Sequence, residues 1–213
     1  MNNITELVFI MDRSGSMHGM EADTVGGFNS LIEKQKKEEG TALVTTVLFS
    51  HDSEIFHDRV PLDRVQPMEV KDFRTGGNTA LLDTVGKTID HIDRIHRYIR
   101  KEDVPSKTIF AITTDGMENA SRTHSYQSVK KAIESHKEKG WEFIFLAANI
   151  DAGDTACMMG IDKMDAVDYH NDSQGIQARD GYLHDAITLM RKHQRPTAAT
   201  REKADADFNS RKK

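Results

Sequence analysis

Three oxygen-bearing side chains follow the first apolar run of the chain at alternate positions. Asp12, Ser14 and Ser16 come directly after residues 7–11, which are all apolar. Side chains at i, i+2 and i+4 point the same way in extended or tightly turning backbone. One carboxylate and two neutral hydroxyls that converge in this way are suitable ligands for a hard, oxygen-preferring cation. Asp, Ser and Gly are also common in ordinary turns. The pattern therefore indicates a metal site only if other parts of the chain supply further ligands.

Short apolar segments alternate with longer segments of helical periodicity along most of the chain. Apolar and β-branched runs predict strands, and apolar residues spaced three or four apart predict helices. The predicted strands cover residues 7–11, 41–49, 54–60, 108–113, 141–148 and 166–169. The predicted helices cover residues 21–39, 82–99, 126–139, 154–159 and 176–190. This alternation predicts an α/β fold with a doubly wound, mostly parallel central sheet, one antiparallel edge strand, and helices on both faces.

Two more of these predicted segments add oxygen ligands. In an open α/β sheet, ligands collect at the carboxyl ends of the strands, near the point where the strand order reverses. Asp115 stands in a Thr-Asp-Gly turn directly after the strand predicted at 108–113. Thr79 ends a glycine-rich loop ahead of the long helix predicted at 82–99, and it is also placed to cap that helix. We therefore expect three loops to meet at one edge of the sheet with two carboxylates and three hydroxyls.

These three segments together resemble the von Willebrand factor A (vWA) domain family. The D-x-S-x-S pattern, the G-G-N-T loop and the T-D-G turn occur in the order in which that family assembles its metal-ion-dependent adhesion site (MIDAS). The resemblance extends from residue 7 to about residue 190 and points to the stand-alone, intracellular members, with a Rossmann-like sheet. It implies that Ser14, Ser16 and Thr79 are hydroxyl ligands and that Asp12 and Asp115 hold the metal directly or through water. Mg²⁺ is the expected ion, with Mn²⁺ or Ca²⁺ as alternatives.

The charge of this ligand set favours binding over catalysis. Two carboxylates balance one divalent cation and the hydroxyls add no charge, so the cation keeps affinity for one more anionic oxygen. In the vWA family that oxygen comes from a Glu or Asp side chain of a partner protein. The resemblance therefore implies a metal-dependent protein–protein interaction module that is not an enzyme.

Two other functions remain open from the residues alone. A Mg²⁺-dependent phosphatase or phosphotransferase also places an Asp after the first strand of a doubly wound sheet. A dehalogenase-like phosphatase, however, needs a second Asp where Ser14 stands, and the P-loop sequence is missing. The other alternative is a structural subunit of a larger, ATPase-linked assembly in which the metal only stabilises the fold. A zinc site is disfavoured because His91 and His96 do not share a helix face.

The composition indicates a globular chain of 213 residues with a net charge of −5. This charge provides no global basic field for nucleic acid or an anionic membrane. The first residues lack the basic and apolar regions of a secretory signal, and the single Cys157, expected to be buried, cannot form an internal disulfide. We therefore expect a cytoplasmic protein with one domain over residues 1–193 and a polar, mobile tail over residues 194–213.

Overall fold

The computed structural model describes residues 3–211 and contains one six-stranded sheet. The strands are β1 (Ile4–Asp12), β2 (Thr41–Phe49), β3 (Ser53–Pro61), β4 (Lys107–Thr114), β5 (Trp141–Ala147) and β6 (Ala166–Asp168). Their order across the sheet is β3-β2-β1-β4-β5-β6. Only β3 runs antiparallel to its neighbour among these strands, and it forms an edge of the sheet. The predicted fold class is confirmed, and the strand order reverses between β1 and β4.

Six helices flank this sheet in the described part of the chain. They are α1 (Glu21–Gln35), α2 (Leu81–Tyr98), α3 (Tyr126–Lys137), α4 (Ala152–Met158), α5 (Ser173–Arg191) and α6 (Ala198–Ser210). The first five confirm the predicted helices, with differences at the ends. Helix α1 ends four residues earlier than predicted, and the chain then turns to Gly40, whose φ of 91° suits a residue without a Cβ. Ser125 caps α3 as predicted, by accepting a hydrogen bond from the Ser128 amide.

Both faces of the sheet are buried, which explains why β1 is apolar at successive positions. Leu7 and Phe9 belong to a core shared with α1 and α5, whereas Val8 and Ile10 belong to a core shared with α2 and α3. Side chains alternate between the faces of a strand, so a strand covered on both faces must be apolar at every position. The two cores hold β1 and β4 side by side at the centre of the sheet.

A buried acidic residue on α2 is held by basic neighbours away from the candidate site. The carboxylate of Asp93 lies 3.1 Å from the His136 ring nitrogen and 3.2 Å from Lys139 Nζ, and it also accepts a hydrogen bond from Arg97. Burial by itself raises the pKa of Asp93. The hydrogen bonds from these three side chains have the larger combined effect and lower the pKa from 3.8 to about 2. The pair α2–α3 is therefore joined by a charged network as well as by apolar packing.

The segment after residue 193, expected to be a mobile tail, includes a helix. Its helix α6 packs against α5 and β6, although Ala204 is its single buried residue within the part of the chain that the structure describes. The sequence did not reveal this helix because it lacks an apolar stripe. The proposed boundary at residue 193 stays a prediction, and residues 212–213 lie outside the described residues.

The prediction for Cys157 was wrong. Its side chain is exposed, because it lies on the outer face of the short helix α4, whose buried residues are Ala152 and Ala156. Separately, none of the helices within residues 3–211 combines the length and the apolar composition required to cross a membrane.

Candidate metal centre

The carboxyl ends of β1 and β4 bring the first two acidic elements of the site together. Met11 pairs with Thr113 in the parallel ladder, so the residues that follow, Asp12 and Thr114, also lie side by side. The hydroxyl of Thr114 donates to Asp12 Oδ2 at 2.6 Å, and the amide of Ser14 donates to Asp12 Oδ1 at 2.7 Å. Both oxygens of this carboxylate are therefore held in place by neighbouring donors.

A short 3₁₀ turn after β1 directs the two serines toward the next loop. The turn covers Gly15–Met17, and the buried side chain of Met17 anchors it in the core. The hydroxyl oxygens of Ser14 and Ser16 are 3.1 Å apart, and Ser16 Oγ donates to Asp115 Oδ1 at 2.7 Å. The alternate spacing predicted from the sequence thus places the two serines side by side, with Ser14 bonded to Asp12 and Ser16 bonded to Asp115.

The glycine-rich loop is joined to the first loop by two backbone hydrogen bonds. The amide of Gly15 donates to Gly77 O at 3.0 Å, and the amide of Gly76 donates to Arg13 O at 2.9 Å. Gly77 has a φ of 79°, and a Cβ at this position would come within 2.5 Å of the His51 ring. Glycine is favoured here for two reasons. L side chains rarely adopt this φ, and a Cβ would displace the His51 ring.

Thr79 does not cap the long helix. The N-cap residue of α2 is Ala80, and the first turn of the helix is capped by the loop after β4 instead. Asn119 Oδ1 accepts from the Thr79 amide at 2.9 Å, and Glu118 Oε2 accepts from the Leu82 amide at 2.9 Å. These two hydrogen bonds hold the second loop against the third. Thr79 itself is buried, with 4% of its surface exposed.

The hydroxyls of Ser16 and Thr79 both border Gly116, the residue after Asp115. A Cβ placed on Gly116 would lie 3.7 Å from Ser16 Oγ and 4.0 Å from Thr79 Oγ1. The structure thus brings all five predicted residues, from three separate loops, to one place at the sheet edge. Four of them are linked by direct hydrogen bonds, and Thr79 lies beside them.

The two carboxylates are buried and have no basic partner among residues 3–211. Asp12 is 2% exposed and Asp115 is 1% exposed. Burial raises the pKa of both carboxyl groups, and the nearby Asp12 charge raises the pKa of Asp115 further, although hydrogen bonds from neighbouring hydroxyls lower both. None of the Lys, Arg or His side chains in residues 3–211 forms an ion pair with either carboxylate. Buried charges without partners are costly, and a bound cation would compensate them.

The donor atoms fit a hard divalent cation. The site offers two carboxylates and three hydroxyls, all oxygens, which are the ligands that Mg²⁺ and Ca²⁺ prefer. Across the described residues no group of three or more His, Cys, Asp and Glu side chains is placed to hold a metal ion. A cation at this edge would therefore depend on hydroxyl ligands, as the sequence pattern predicts.

Three polar residues that were not predicted from the sequence also form hydrogen bonds within the site. Thr114 holds Asp12, and the side chain of Asn171 donates to Asp115 Oδ2 at 2.9 Å. Asn149 has a φ of 60° and donates from its side chain to Asp115 O at 2.9 Å. Thr114 was visible in the T-D-G turn, whereas neither asparagine belongs to a motif that the sequence presents.

Comparison with known proteins identifies the fold. No protein-family model and no curated protein matches the chain. A von Willebrand factor type A structure from Catenulispora acidiphila superposes with a TM-score of 0.56 over 94% of this chain, at 13% identity. The chain has the vWA fold. Proximal thread matrix protein 1 from the mussel byssus, with a zinc-occupied MIDAS motif, gives a TM-score of 0.57 over 88% of the chain at 13% identity. Manganese-loaded TRAP protein from Plasmodium vivax gives 0.53 over 75% at 15% identity.

These structures are longer than the present chain. The chain spans 42% of the Catenulispora chain, 46% of the mussel chain and 64% of the Plasmodium chain. At these identities the likeness concerns the fold alone.

Proposed function

We propose that this vWA domain is a metal-dependent protein-interaction module. A divalent cation held by Asp12, Ser14, Ser16, Thr79 and Asp115 binds an acidic side chain of a partner protein. The observation that carries the proposal is the pair of carboxylates that are almost fully buried, surrounded by hydroxyls, and not paired with any basic side chain in the described part of the chain.

The charge count supports a role in binding. Two carboxylates neutralise a divalent cation, and hydroxyl ligands leave its remaining attraction for anions intact. A Glu or Asp side chain supplied by a partner then forms a charge-assisted contact, which is stronger than a neutral hydrogen bond. Mg²⁺ is the proposed ion, with Mn²⁺ or Ca²⁺ as alternatives. The zinc-occupied and manganese-loaded relatives support a divalent cation in general.

The surface around the site suits contact with a protein. Met117 follows Asp115 by two residues and is 72% exposed, and Asn78 beside Thr79 is exposed as well. An exposed thioether adapts its shape to an apolar neighbour. The partner is therefore proposed to place its carboxylate on the cation and apolar atoms against Met117.

An enzymatic role finds less support in the geometry. The position two residues after Asp12 holds Ser14, whose amide orients Asp12, instead of a second acid. A screen with phosphate esters and Mg²⁺ should accordingly show no turnover.

The direct test joins metal titration to partner capture. Calorimetry with Mg²⁺ and Mn²⁺ should show one site in the wild type and none in the Ser14→Ala/Ser16→Ala/Thr79→Ala variant. Affinity capture from a native lysate should enrich the same protein in Mg²⁺ but not in EDTA, and not with the triple variant. Metal-dependent capture that survives the triple substitution would refute the proposal.

A further inference from the structure

A cleft of about 670 Å³ opens beside the candidate metal site. It is lined by Glu54 and Phe56 of β3 and by most of segment 71–77, which leads into the glycine-rich loop. Arg13 also lines the cleft, and it stands between two of the proposed ligands in the D-x-S-x-S sequence. The cleft and the metal site therefore share the first loop and the glycine-rich loop.

The acidic side chains that line this cleft already have partners. Glu54 Oε2 lies 3.0 Å from Arg13 Nη1, and Asp52 Oδ2 lies 4.0 Å from His51 Nε2. Asp72 Oδ2 accepts from a backbone amide at 2.9 Å. The cleft thus has no large excess of one charge, and a ligand would be recognised in it by individual contacts.

Arg74 is the basic residue of the cleft that has no acidic partner within residues 3–211. Its Nε donates to Lys71 O at 3.2 Å, its side chain is exposed, and its two Nη atoms donate to none of the described residues. Lys71, by contrast, pairs with Glu69 at 2.8 Å. A guanidinium presents parallel N–H groups that match the two oxygens of a carboxylate. Arg74 can therefore receive a carboxylate that comes from another molecule.

The backbone between Arg74 and Thr79 leaves room for such a ligand. A Cβ placed on Gly76 would meet nothing within 4 Å, and both Gly77 and Asn78 are exposed. A chain that is bound at the metal site can therefore continue over this loop toward Arg74.

We propose that the partner presents two carboxylates on one extended segment, the first to the cation and the second to Arg74. The inference rests on the proposed metal-dependent function and narrows the partner to an acidic segment that lies along the cleft. Once the first carboxylate is bound, the second meets Arg74 at a high effective concentration, because both belong to one chain. An extended chain advances about 3.3 Å per residue, so one particular spacing between the two acids should fit best.

The experiment titrates the whole ¹⁵N-labelled chain with short synthetic peptides in Mg²⁺ and follows the amide and arginine Nε signals by NMR. Each peptide has blocked ends and an Ala/Ser sequence with one Glu. A second Glu is placed at successive distances on either side of the first, and each such peptide has a counterpart with Gln instead. Arg74→Ala tests the contact. Arg64→Ala, which removes an exposed arginine after the opposite end of β3, is the matched control.

At the best spacing, the second Glu should strengthen binding to the wild type by about 5- to 20-fold over its Gln counterpart, as expected for a charge-assisted hydrogen bond at an exposed site. Arg74→Ala should abolish this gain without changing the affinity for the single-Glu peptide or for Mg²⁺. Arg64→Ala should match the wild type. The Nε signal of Arg74 should shift with the two-Glu peptide only, whereas the Gly76 and Gly77 amides should shift with both peptides.

Two results would overturn the inference while the proposed function stands. One is Mg²⁺-dependent binding of single-Glu peptides with no gain from a second Glu at any spacing. The other is a gain that persists in Arg74→Ala, since the two changes would then be independent. If calorimetry shows Mg²⁺ binding but no peptide binds, the inference is also wrong, and the capture experiment alone decides the proposed function. Absence of Mg²⁺ binding in the wild type would remove both.

Discussion

Replacing Asp12 by Asn should change the stability of the domain in opposite directions without and with a cation. The amide has nearly the shape of the carboxylate, and its oxygen can still accept from the Ser14 amide. Its NH₂ group can donate to Thr114, whose hydroxyl can turn to donate to Gly116 O, 3.1 Å away. The variant therefore keeps a satisfied hydrogen-bond network and loses one buried negative charge.

In EDTA this loss of charge should stabilise the fold. Burial raises the pKa of Asp12, which means that the ionised carboxylate destabilises the folded state near neutral pH. Since buried charges without partners cost several kcal/mol before hydrogen bonding is counted, we expect a net gain of about 1 kcal/mol in Asp12→Asn. For a chain of this size, that corresponds to a rise in Tm of about 2–4 °C.

With Mn²⁺ the order should reverse. A cation at 100 times its Kd stabilises the wild type by about 2.7 kcal/mol. Two charges of +2 and −1 attract by about 8 kcal/mol at 4 Å and an effective dielectric constant of 20, of which desolvation cancels a large part. A 100-fold loss of affinity is therefore a conservative expectation, and at the same Mn²⁺ concentration it leaves the variant about 0.4 kcal/mol of stabilisation. The wild type should then be the more stable protein.

The assay is thermal unfolding followed by circular dichroism, in EDTA and in Mn²⁺, with the Kd taken from calorimetry. Asp63→Asn, at an exposed position, is the matched control and should follow the wild type in both buffers. An equal Mn²⁺ shift in wild type and Asp12→Asn would refute the assignment of Asp12 as a ligand. A lower Tm of Asp12→Asn in EDTA would refute the argument that its buried charge is unfavourable.

Three other substitutions test the supports of the fold and the site. Asp83→Ala removes the acceptor of three backbone amides in the loop after β4, at 2.7–3.0 Å, and should lower the free energy of unfolding by about 2–3 kcal/mol in urea titrations. Asp93→Asn tests the charged network of α2. The pKa of Asp93 is lowered from 3.8 to about 2, so its charge stabilises the fold by about 2 kcal/mol above pH 4, and this contribution is lost as the pH falls to 2. Urea titrations of wild type and Asp93→Asn should therefore differ at pH 7 and converge near pH 2; a constant difference would contradict the network. Gly77→Ala should cost about 1–3 kcal/mol, because of its positive φ and the nearby His51 ring, and should weaken Mn²⁺ binding in the same calorimetric assay. Unchanged stability of Gly77→Ala would show that the loop relaxes without strain.

The tertiary structure explains which residues of the site could be predicted from the sequence and which could not. Asp12, Ser14 and Ser16 follow one strand at alternate positions, so local geometry alone predicted that they converge. Asp115 was predicted to join them because parallel strands end at the same edge of a sheet. Asn171 escaped prediction because its contact with Asp115 joins residues 56 positions apart, through a loop without a recognisable pattern.

Capping of the long helix α2 likewise depends on contacts between distant parts of the chain. Thr79 stands where a capping residue is expected, but the acceptors for the first turn of α2 come from Glu118 and Ser121. These residues lie 36 and 38 positions further along the chain than the amides that donate to them, so their approach depends on how β4 packs beside β1. Helix α6 is a second case, since Ala204 is its buried residue and its sequence has no apolar stripe that would predict where it packs.

The sequence by itself determined the fold class, five of the six helices, all six strands, and the residues of the candidate metal site. These features follow from local periodicity and from the side-chain types at strand ends. Both can be read from a single segment of the chain, without knowing how that segment packs against others. Only the tertiary structure decided that Asp12 and Asp115 are both buried with no basic partner among the described residues, and that Asn171 donates to Asp115. Burial and long-range hydrogen bonds depend on the register and packing of elements far apart in the chain, and these are properties of the assembled fold.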